Sequence, residues 1–329
     1  MNVYDHISSN GRKTVLILLA FPAALFVTLY LFAILIVKIE GARTSVTGEA
    51  LQYTLMVFPW LSLVVFVWIA ISFYGGGKMI LGMANARHVT PEENRELYRL
   101  VENTAIMAGL PTPEIYLIED DSLNAFATGR DPSTASVAFT RGIVKKLDKN
   151  ELQAVVAHEL AHIGNRDTRL MIITVAGIGC FLFLGEMLLR MAIRGGGRGR
   201  GGRNSGKGTI VIIVLAVACF VFGYVIAPIL RLALSRRREY QADATAAKIT
   251  RDPDALSRAL TKIAINPRVE SLDASPLVGN MCIANPAKPN FFRKLYCTHP
   301  QIEDRLAALK KMAGEINPQD SAPLGRVIG

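Results

Sequence analysis

Apolar residues in this chain are gathered into runs that are longer than the core elements of soluble proteins require. Four such runs cover residues 14–37, 50–74, 170–189 and 209–230. Each is near or above the roughly 20 residues that a helix needs to cross about 30 Å of hydrocarbon. The pattern predicts four transmembrane helices. The first run exceeds the roughly 7 to 15 apolar residues of a cleavable signal sequence, so we interpret it as a retained anchor.

The polar residues form two segments of similar size, 78–169 and 231–329, separated by the second pair of apolar runs. Either segment alone is small for a large hydrophobic core, so we expect the two to form one domain. The predicted order is an anchor with two transmembrane helices over 1–77, the first part of the domain, a transmembrane hairpin over 170–230, and the second part of the domain.

Basic residues near the span ends predict the orientation of this domain. Ten lie on the side of the domain and eight lie in the connecting loops, so the positive-inside rule places the domain in the cytoplasm by a narrow margin. Two alternatives stay open: the last two apolar runs form a hairpin that does not cross fully, or the first two helices fix the orientation. The scattered cysteines, without a CxxC pair, agree with a reducing compartment.

A net charge of +10 raises the question of nucleic-acid binding. The basic residues flank the spans and the Gly/Arg-rich segment 195–208, where membrane insertion explains them better. We interpret that segment as a solvated turn and expect no nucleic-acid partner. Nothing in the sequence indicates an oligomeric state.

Local patterns within the polar segments predict mainly α structure with a small β-sheet. The spacing of Thr90 and Glu93 is that of a capping box and predicts a helix that begins there and ends near Gly109. The runs 114–118 and 135–140 are typical of strands. Asp148 and Glu151 repeat the capping-box spacing and predict a second helix.

That second helix carries the chemistry, because residues 158–162 read HELAH. His158 and His162 are four residues apart, so on a helix both imidazoles lie on one face and can bind one ion. The alternative is a chance HExxH in a buried helix. Since only five histidines occur in the chain and two of them flank Glu159, the metal site is the better interpretation.

A catalytic zinc ion needs a third protein ligand and an open position for water. Positions 165 and 168 hold Asn165 and Thr168, which excludes the longer motif with a third histidine. Glu239 can supply the ligand, and Asp243, four residues later, can orient a histidine from behind. The alternative for this pair is a solvated helix end beside three arginines. The third ligand and the HELAH motif both lie close to the apolar hairpin, so we expect them to meet near the membrane boundary.

These residues predict peptide hydrolysis in which Glu159 is the general base. The oxyanion of the transition state needs a donor besides the metal, and His299 is the best candidate. The alternative for His299 is a helix N-cap residue before Pro300.

The chain resembles the HtpX-type membrane zinc metallopeptidases, relatives of the Ste24-type CAAX prenyl proteases. The resemblance rests on the paired N-terminal spans, NAFA at 124–127, HELAH, the second hairpin, SRRREYQAD at 235–243 and THPQIEDR at 298–305. It implies a gluzincin-type zinc metallopeptidase domain that binds one Zn²⁺ through His158, His162 and Glu239, with Glu159 as the base.

The resemblance also implies functions for residues that spacing alone does not assign. Arg305, six residues after His299, is implied to assist the transition state or a metal ligand. A strand is implied to pair with the extended substrate through four residues: Asn124, Ala125, Phe126 and Ala127.

Such enzymes cut misfolded or damaged membrane proteins at the cytoplasmic face of the bacterial inner membrane as part of stress response. Two alternatives are a CAAX-type prenyl-peptide protease, which the four spans disfavour because that subfamily has seven, and a non-catalytic zinc-stabilised chaperone or scaffold, which the intact Glu159 disfavours.

Overall fold

The computed structural model describes residues 22–23, 25–38, 41–196, 205–221, 227–266, 269, 282–283 and 302–316. The backbone divides into two compact units. The described residues of the first unit lie within 75–172 and 232–316, and those of the second lie within 22–74 and 173–231.

Helices account for most of the described residues, and four short strands account for the sheet. In chain order the elements are α1 Leu25–Lys38, α2 Val46–Met83, β1 Ala86–His88, α3 Arg95–Ala108, β2 Glu114–Ile118, β3 Ala125–Thr128, a 3₁₀ turn Pro132–Thr134, β4 Ser136–Thr140, α4 Arg141–Lys146, α5 Lys149–Gly164, α6 Asp167–Gly196, α7 Ser205–Val221, α8 Ala227–Thr250, α9 Pro253–Ile265 and α10 Ile302–Ile316. The prediction of a mainly α fold with a small sheet is confirmed.

The second unit contains α1, most of α2 and α6, and α7. Among the described residues, two helices are long and apolar enough to cross a membrane, Val46–Met83 and Asp167–Arg194. Large apolar side chains such as Trp60 and Phe66 are about 70% exposed on α2, which is costly in water and favourable in lipid. The apolar helices at Leu25–Lys38 and Ile212–Val221 are shorter, and residues next to them lie outside the described ranges, so four complete spans stay a prediction.

The first unit contains a four-stranded sheet in the order β1-β2-β4-β3. β1 and β3 pair antiparallel with their neighbours, whereas β2 and β4 are parallel. The predicted strand over 114–118 is confirmed, and the one over 135–140 begins one residue later. One face of the sheet packs on α3, α5, α9 and α10 around residues such as Val137 and Val155. The other face packs on the end of α2 and on Ile172.

The helix predicted at Thr90 begins later than its capping-box spacing indicates. Glu93 does accept a hydrogen bond from the Thr90 N–H at 3.0 Å, but residues 91–93 form a turn. The helix starts at Arg95, since Asn94 is its N-cap and accepts from the Leu97 N–H at 3.0 Å. The predicted end is confirmed, because Gly109 adopts φ 66° in the left-handed region, where glycine carries no steric penalty.

Candidate metal centre

Helix α5 is fixed at its N-terminus by the predicted capping box. The Asp148 side chain accepts from the Glu151 N–H at 2.9 Å, and the Glu151 side chain accepts from the Asp148 N–H at 3.0 Å. Most of the helix is buried, including His158 at 0% and Glu159 at 2% exposure. This placement keeps both functional side chains away from bulk water. Electrostatic interactions between them are therefore stronger than they would be in water.

The three predicted ligands come together at one point. The Nε2 atoms of His158 and His162 are 3.2 Å apart. The two carboxylate oxygens of Glu239 lie 3.7 Å from His158 Nε2 and 3.8 Å from His162 Nε2. Among the described residues, these three form the group whose potential ligand atoms all lie within 4.8 Å of one another.

This spacing fits zinc. With Zn–N bonds of about 2.0–2.1 Å, two ligand atoms of a tetrahedral ion lie about 3.3 Å apart. The His158–His162 distance matches that value, and the distances to Glu239 exceed it by a few tenths of an ångström. Two histidines and one glutamate are also a donor set that catalytic zinc ions use.

A carboxylate lies next to the Nδ1 atom of each of the two candidate ligand histidines. Nδ1 of His158 lies 3.0 Å from Asp243 Oδ1, a close contact that is not aligned as a hydrogen bond. Nδ1 of His162 lies 3.0 Å from Asp167 Oδ2 and makes a hydrogen bond to it. A carboxylate at Nδ1 favours the tautomer that leaves Nε2 free for a metal ion, and it makes that nitrogen more basic.

Arg305 joins the carboxylates on the Glu239 side of the centre. Its Nε and Nη2 donate to the two oxygens of Asp243 at 2.9 and 2.7 Å, which is a bidentate pair. Its Nη1 lies 3.9 Å from Glu239 Oε2. The guanidinium is 1% exposed, so it holds the α8 carboxylates without competition from water.

The pKa shifts follow from burial and these contacts. Burial alone would lower the pKa of His158, but Asp243 and Glu239 outweigh it and raise the pKa to about 9. Burial raises the pKa of Glu159, and the nearby His158 and His162 offset this in part. Burial would also raise the pKa of Asp243, yet the Arg305 guanidinium and His158 bring it below its ordinary value.

The charges around the ligands leave room for a divalent cation. Among the described residues in contact around the site, the four carboxylates are Glu159, Glu239, Asp243 and Asp167, and the guanidiniums of Arg305 and Arg238 oppose them. Since uncompensated buried charge is costly, a dication at the three ligand atoms would offset part of this negative charge.

The structure thus brings together His158, Glu159, His162, Glu239 and Asp243 as the sequence predicted, with Arg305 beside them. That they bind metal and act in catalysis stays a prediction. His299 lies outside the described residues.

The strand predicted to pair with substrate is β3 together with the preceding Asn124. All four predicted residues are buried, each at most 3% exposed: Asn124, Ala125, Phe126 and Ala127. Its role as the substrate-binding strand stays a prediction.

Asp167 was not identified from the sequence, although it contacts His162. The sequence signal for this contact is an acidic residue five positions after His162, at the start of the next helix. Between the helices, Arg166 adopts φ 58°, an uncommon left-handed conformation that reverses the chain. This turn places the Asp167 carboxylate against the imidazole, and a spacing rule for one continuous helix cannot find it.

Comparison with known proteins identifies a family and its members that are similar to this chain. The model of peptidase family M48 matches residues 91–313, which include both ligand helices. Proteins named "Protease HtpX homolog" match nearly the whole chain. The one from Bacteroides fragilis is 35% identical over 92% of this chain and 97% of its own length. The one from Thermoanaerobacter pseudethanolicus is 36% identical over 94% of this chain and 98% of its own.

Among solved structures, the crystal structure of S. mikatae Ste24p is similar, with 22% sequence identity and a TM-score of 0.46. The similarity covers 86% of this chain and 61% of that protein.

Proposed function

The chain belongs to peptidase family M48, and from that premise we propose that it is a membrane-bound zinc metalloendopeptidase that cuts misfolded or damaged membrane proteins. The observation that carries the proposal is the convergence of His158, His162 and Glu239 beside the buried Glu159. A structural zinc site closes its fourth position with another protein ligand, whereas three ligands next to a free carboxylate are typical of hydrolysis.

His158, His162 and Glu239 would hold the zinc ion, which acidifies a bound water and polarises the scissile carbonyl. Glu159 takes a proton from the attacking water and gives it to the leaving amine nitrogen. Its burial raises its pKa, so it is a stronger base than an exposed glutamate. Asp243 and Asp167 keep the two imidazoles oriented throughout.

We place the enzyme in the bacterial inner membrane with the catalytic unit facing the cytoplasm. The support is the excess of basic residues on the domain side of the spans, together with the HtpX-type relatives. A reporter that is active only in the cytoplasm tests this orientation. Fused after residue 329, it should be active.

The test of the function compares purified wild type, Glu159→Gln and Glu239→Ala in detergent. We expect Glu159→Gln to keep one zinc ion and to lose cleavage of casein by about 10²-fold or more, because only the base is removed. Glu239→Ala should lose both zinc and activity. Glu96→Gln, on the first turn of α3, is the matched control and should behave as wild type.

Metal content and turnover are measured on the same samples. Cleavage at the wild-type rate by Glu159→Gln would disprove the assignment of the base. A wild-type protein that holds zinc but cleaves neither casein nor a membrane substrate would favour the scaffold instead.

A further inference from the structure

One edge of β3 is covered by the chain itself. The Thr140 N–H donates to the Asn124 carbonyl at 3.0 Å, so Asn124 faces β4. Because carbonyls alternate in direction along a strand, the Ala125 carbonyl faces the opposite edge. It accepts a hydrogen bond from the Ile283 N–H at 2.9 Å.

The same edge leads to the catalytic base. The next residue that faces outward is Ala127, and its backbone N–H lies close enough to the Glu159 carboxylate to lower the pKa of that group. An edge strand offers a row of backbone donors and acceptors on which a second extended chain can pair. A peptide that pairs with this edge at Ala125 therefore lies beside Glu159.

The carbonyl of Ile283 is bound as well. It accepts from Arg305 Nη1 at 3.1 Å, and this nitrogen is 3.9 Å from Glu239 Oε2. One residue of the chain thus has its N–H on the edge strand and its C=O on the guanidinium beside a predicted metal ligand. This is how an extended substrate residue would be held.

The side chains of the segment complete the likeness to a bound peptide. Ile283 is 2% exposed and belongs to the core that contains Ala125 and α5. Cys282 is fully buried and packs in the cluster with Phe126 on the other face of the sheet. The two side chains thus lie on opposite faces of the sheet, as those of successive residues of a pairing peptide do, and the backbone bends at both positions.

We propose that Cys282 and Ile283 occupy the position of an extended peptide substrate on the outer edge of β3, and that they must leave it before the enzyme cleaves. The proposal rests on the proposed function. The described form is then autoinhibited, and Ile283 marks the substrate residue whose N–H pairs with Ala125 and whose carbonyl pairs with Arg305. Its apolar surroundings select an aliphatic side chain in that subsite.

The first test removes the hydrogen bond that holds the segment. Ile283→Pro has no backbone N–H and cannot bind the Ala125 carbonyl, whereas Ile283→Val keeps both the N–H and a branched aliphatic side chain. With an internally quenched casein peptide, kcat/KM of Ile283→Pro should rise about fivefold, which is the factor that one hydrogen bond typically contributes. Ile283→Val should match wild type.

An unchanged or lower kcat/KM for a folded Ile283→Pro enzyme would overturn the proposal. Residues 282–283 would then be a permanent part of the core. If wild type itself does not cleave the peptide, the proposed function fails instead, so the two failures are distinguishable.

The second test needs no change in the segment, because Cys282 is its own reporter. Cys180→Ser, Cys219→Ser and Cys297→Ser leave Cys282 as the one thiol in the sequence, and Glu159→Gln prevents turnover. We expect saturating casein peptide to raise the rate of maleimide labelling at Cys282 at least several-fold, as the segment leaves the edge. A rate that is unchanged or slower with peptide would overturn displacement. Cleavage by the parent with Glu159 intact is measured alongside.

Discussion

Replacing Asp167 tests whether a carboxylate behind His162 strengthens metal binding. The Asp167 Oδ2 to His162 Nδ1 distance is 3.0 Å, and the Asp167 side chain is 2% exposed, so solvent does not screen the interaction. Loss of such a partner typically weakens metal affinity about 10- to 100-fold, or about 1.4 to 2.7 kcal/mol. Asp167→Asn keeps an acceptor for the Nδ1–H and loses only the charge. We therefore expect zinc affinity to fall about tenfold in Asp167→Asn and about 100-fold in Asp167→Ala.

The assay is competition for zinc against a chromophoric chelator in detergent at constant pH. Asp131→Asn is the control, because the Asp131 side chain is also a carboxylate at the start of a helical turn but has no contact with the candidate metal ligands among the described residues. Asp167 lies in the first turn of α6, where its negative charge favours the helix, so melting of the metal-free variants is measured separately. Zinc affinity within twofold of wild type for both Asn and Ala would refute the reasoning.

Three further predictions concern the stability of the first unit, which contains the candidate metal centre. In the metal-free protein the pKa of His158 is raised from 6.5 to about 9, so its pairing stabilises the fold fully below pH 6.5 and is lost as the pH rises through 9. Melting temperatures of the metal-free protein should therefore fall across that window, and the zinc-loaded protein should not show this fall. Gly142→Ala places a Cβ 2.3 Å from two backbone carbonyl oxygens, so it should lower the free energy of unfolding by about 3 kcal/mol or reduce the folded yield. In Gly164→Ala the new Cβ is 3.5 Å from a leucine side chain, so this variant should melt as wild type does in the same assay. Lys262→Met removes the ammonium group that lies 2.6 Å from the Glu151 carboxylate, so it should lower the free energy of unfolding by about 1 kcal/mol. Lys262→Arg keeps the positive charge and should keep most of that stability. Equal melting temperatures for the two variants would contradict the pairing.

Local sequence signals predicted an element correctly where the signal and the packing agree. The capping box at Asp148 forms in full because the residues that follow it are apolar on several sides and are buried by the sheet and by neighbouring helices. At Thr90 the same spacing gives only the Glu93 bond, because Asn94 offers a competing cap and the apolar periodicity starts at Leu97. A capping motif alone therefore does not fix a helix start.

The group of candidate metal ligands that the structure brings together could be predicted because metal binding restricts the residue types and the spacing. Two histidines four apart and a distant glutamate are a small set of candidates in a chain with five histidines. Asp167 and Ile283 could not be found this way. One depends on the left-handed turn at Arg166, and the other contributes only backbone atoms, which any residue supplies.

The ligands come from two parts of the chain, Gly75–Ile172 and Leu232–Gly329, that belong to one compact unit but are separated in sequence by the apolar hairpin. Joining them without a metal ion brings the Glu239 carboxylate near that of Glu159, and the Arg305 guanidinium beside Glu239 opposes this repulsion. Protonated His158 relieves part of it, which is the physical meaning of its raised pKa. Zinc binding at these ligands would displace that proton, supply two positive charges, and tie α5 to α8. The free energy of metal binding would then be partly free energy of joining the two parts of the chain, so we predict that chelation loosens α8 from α5 as well as stopping catalysis.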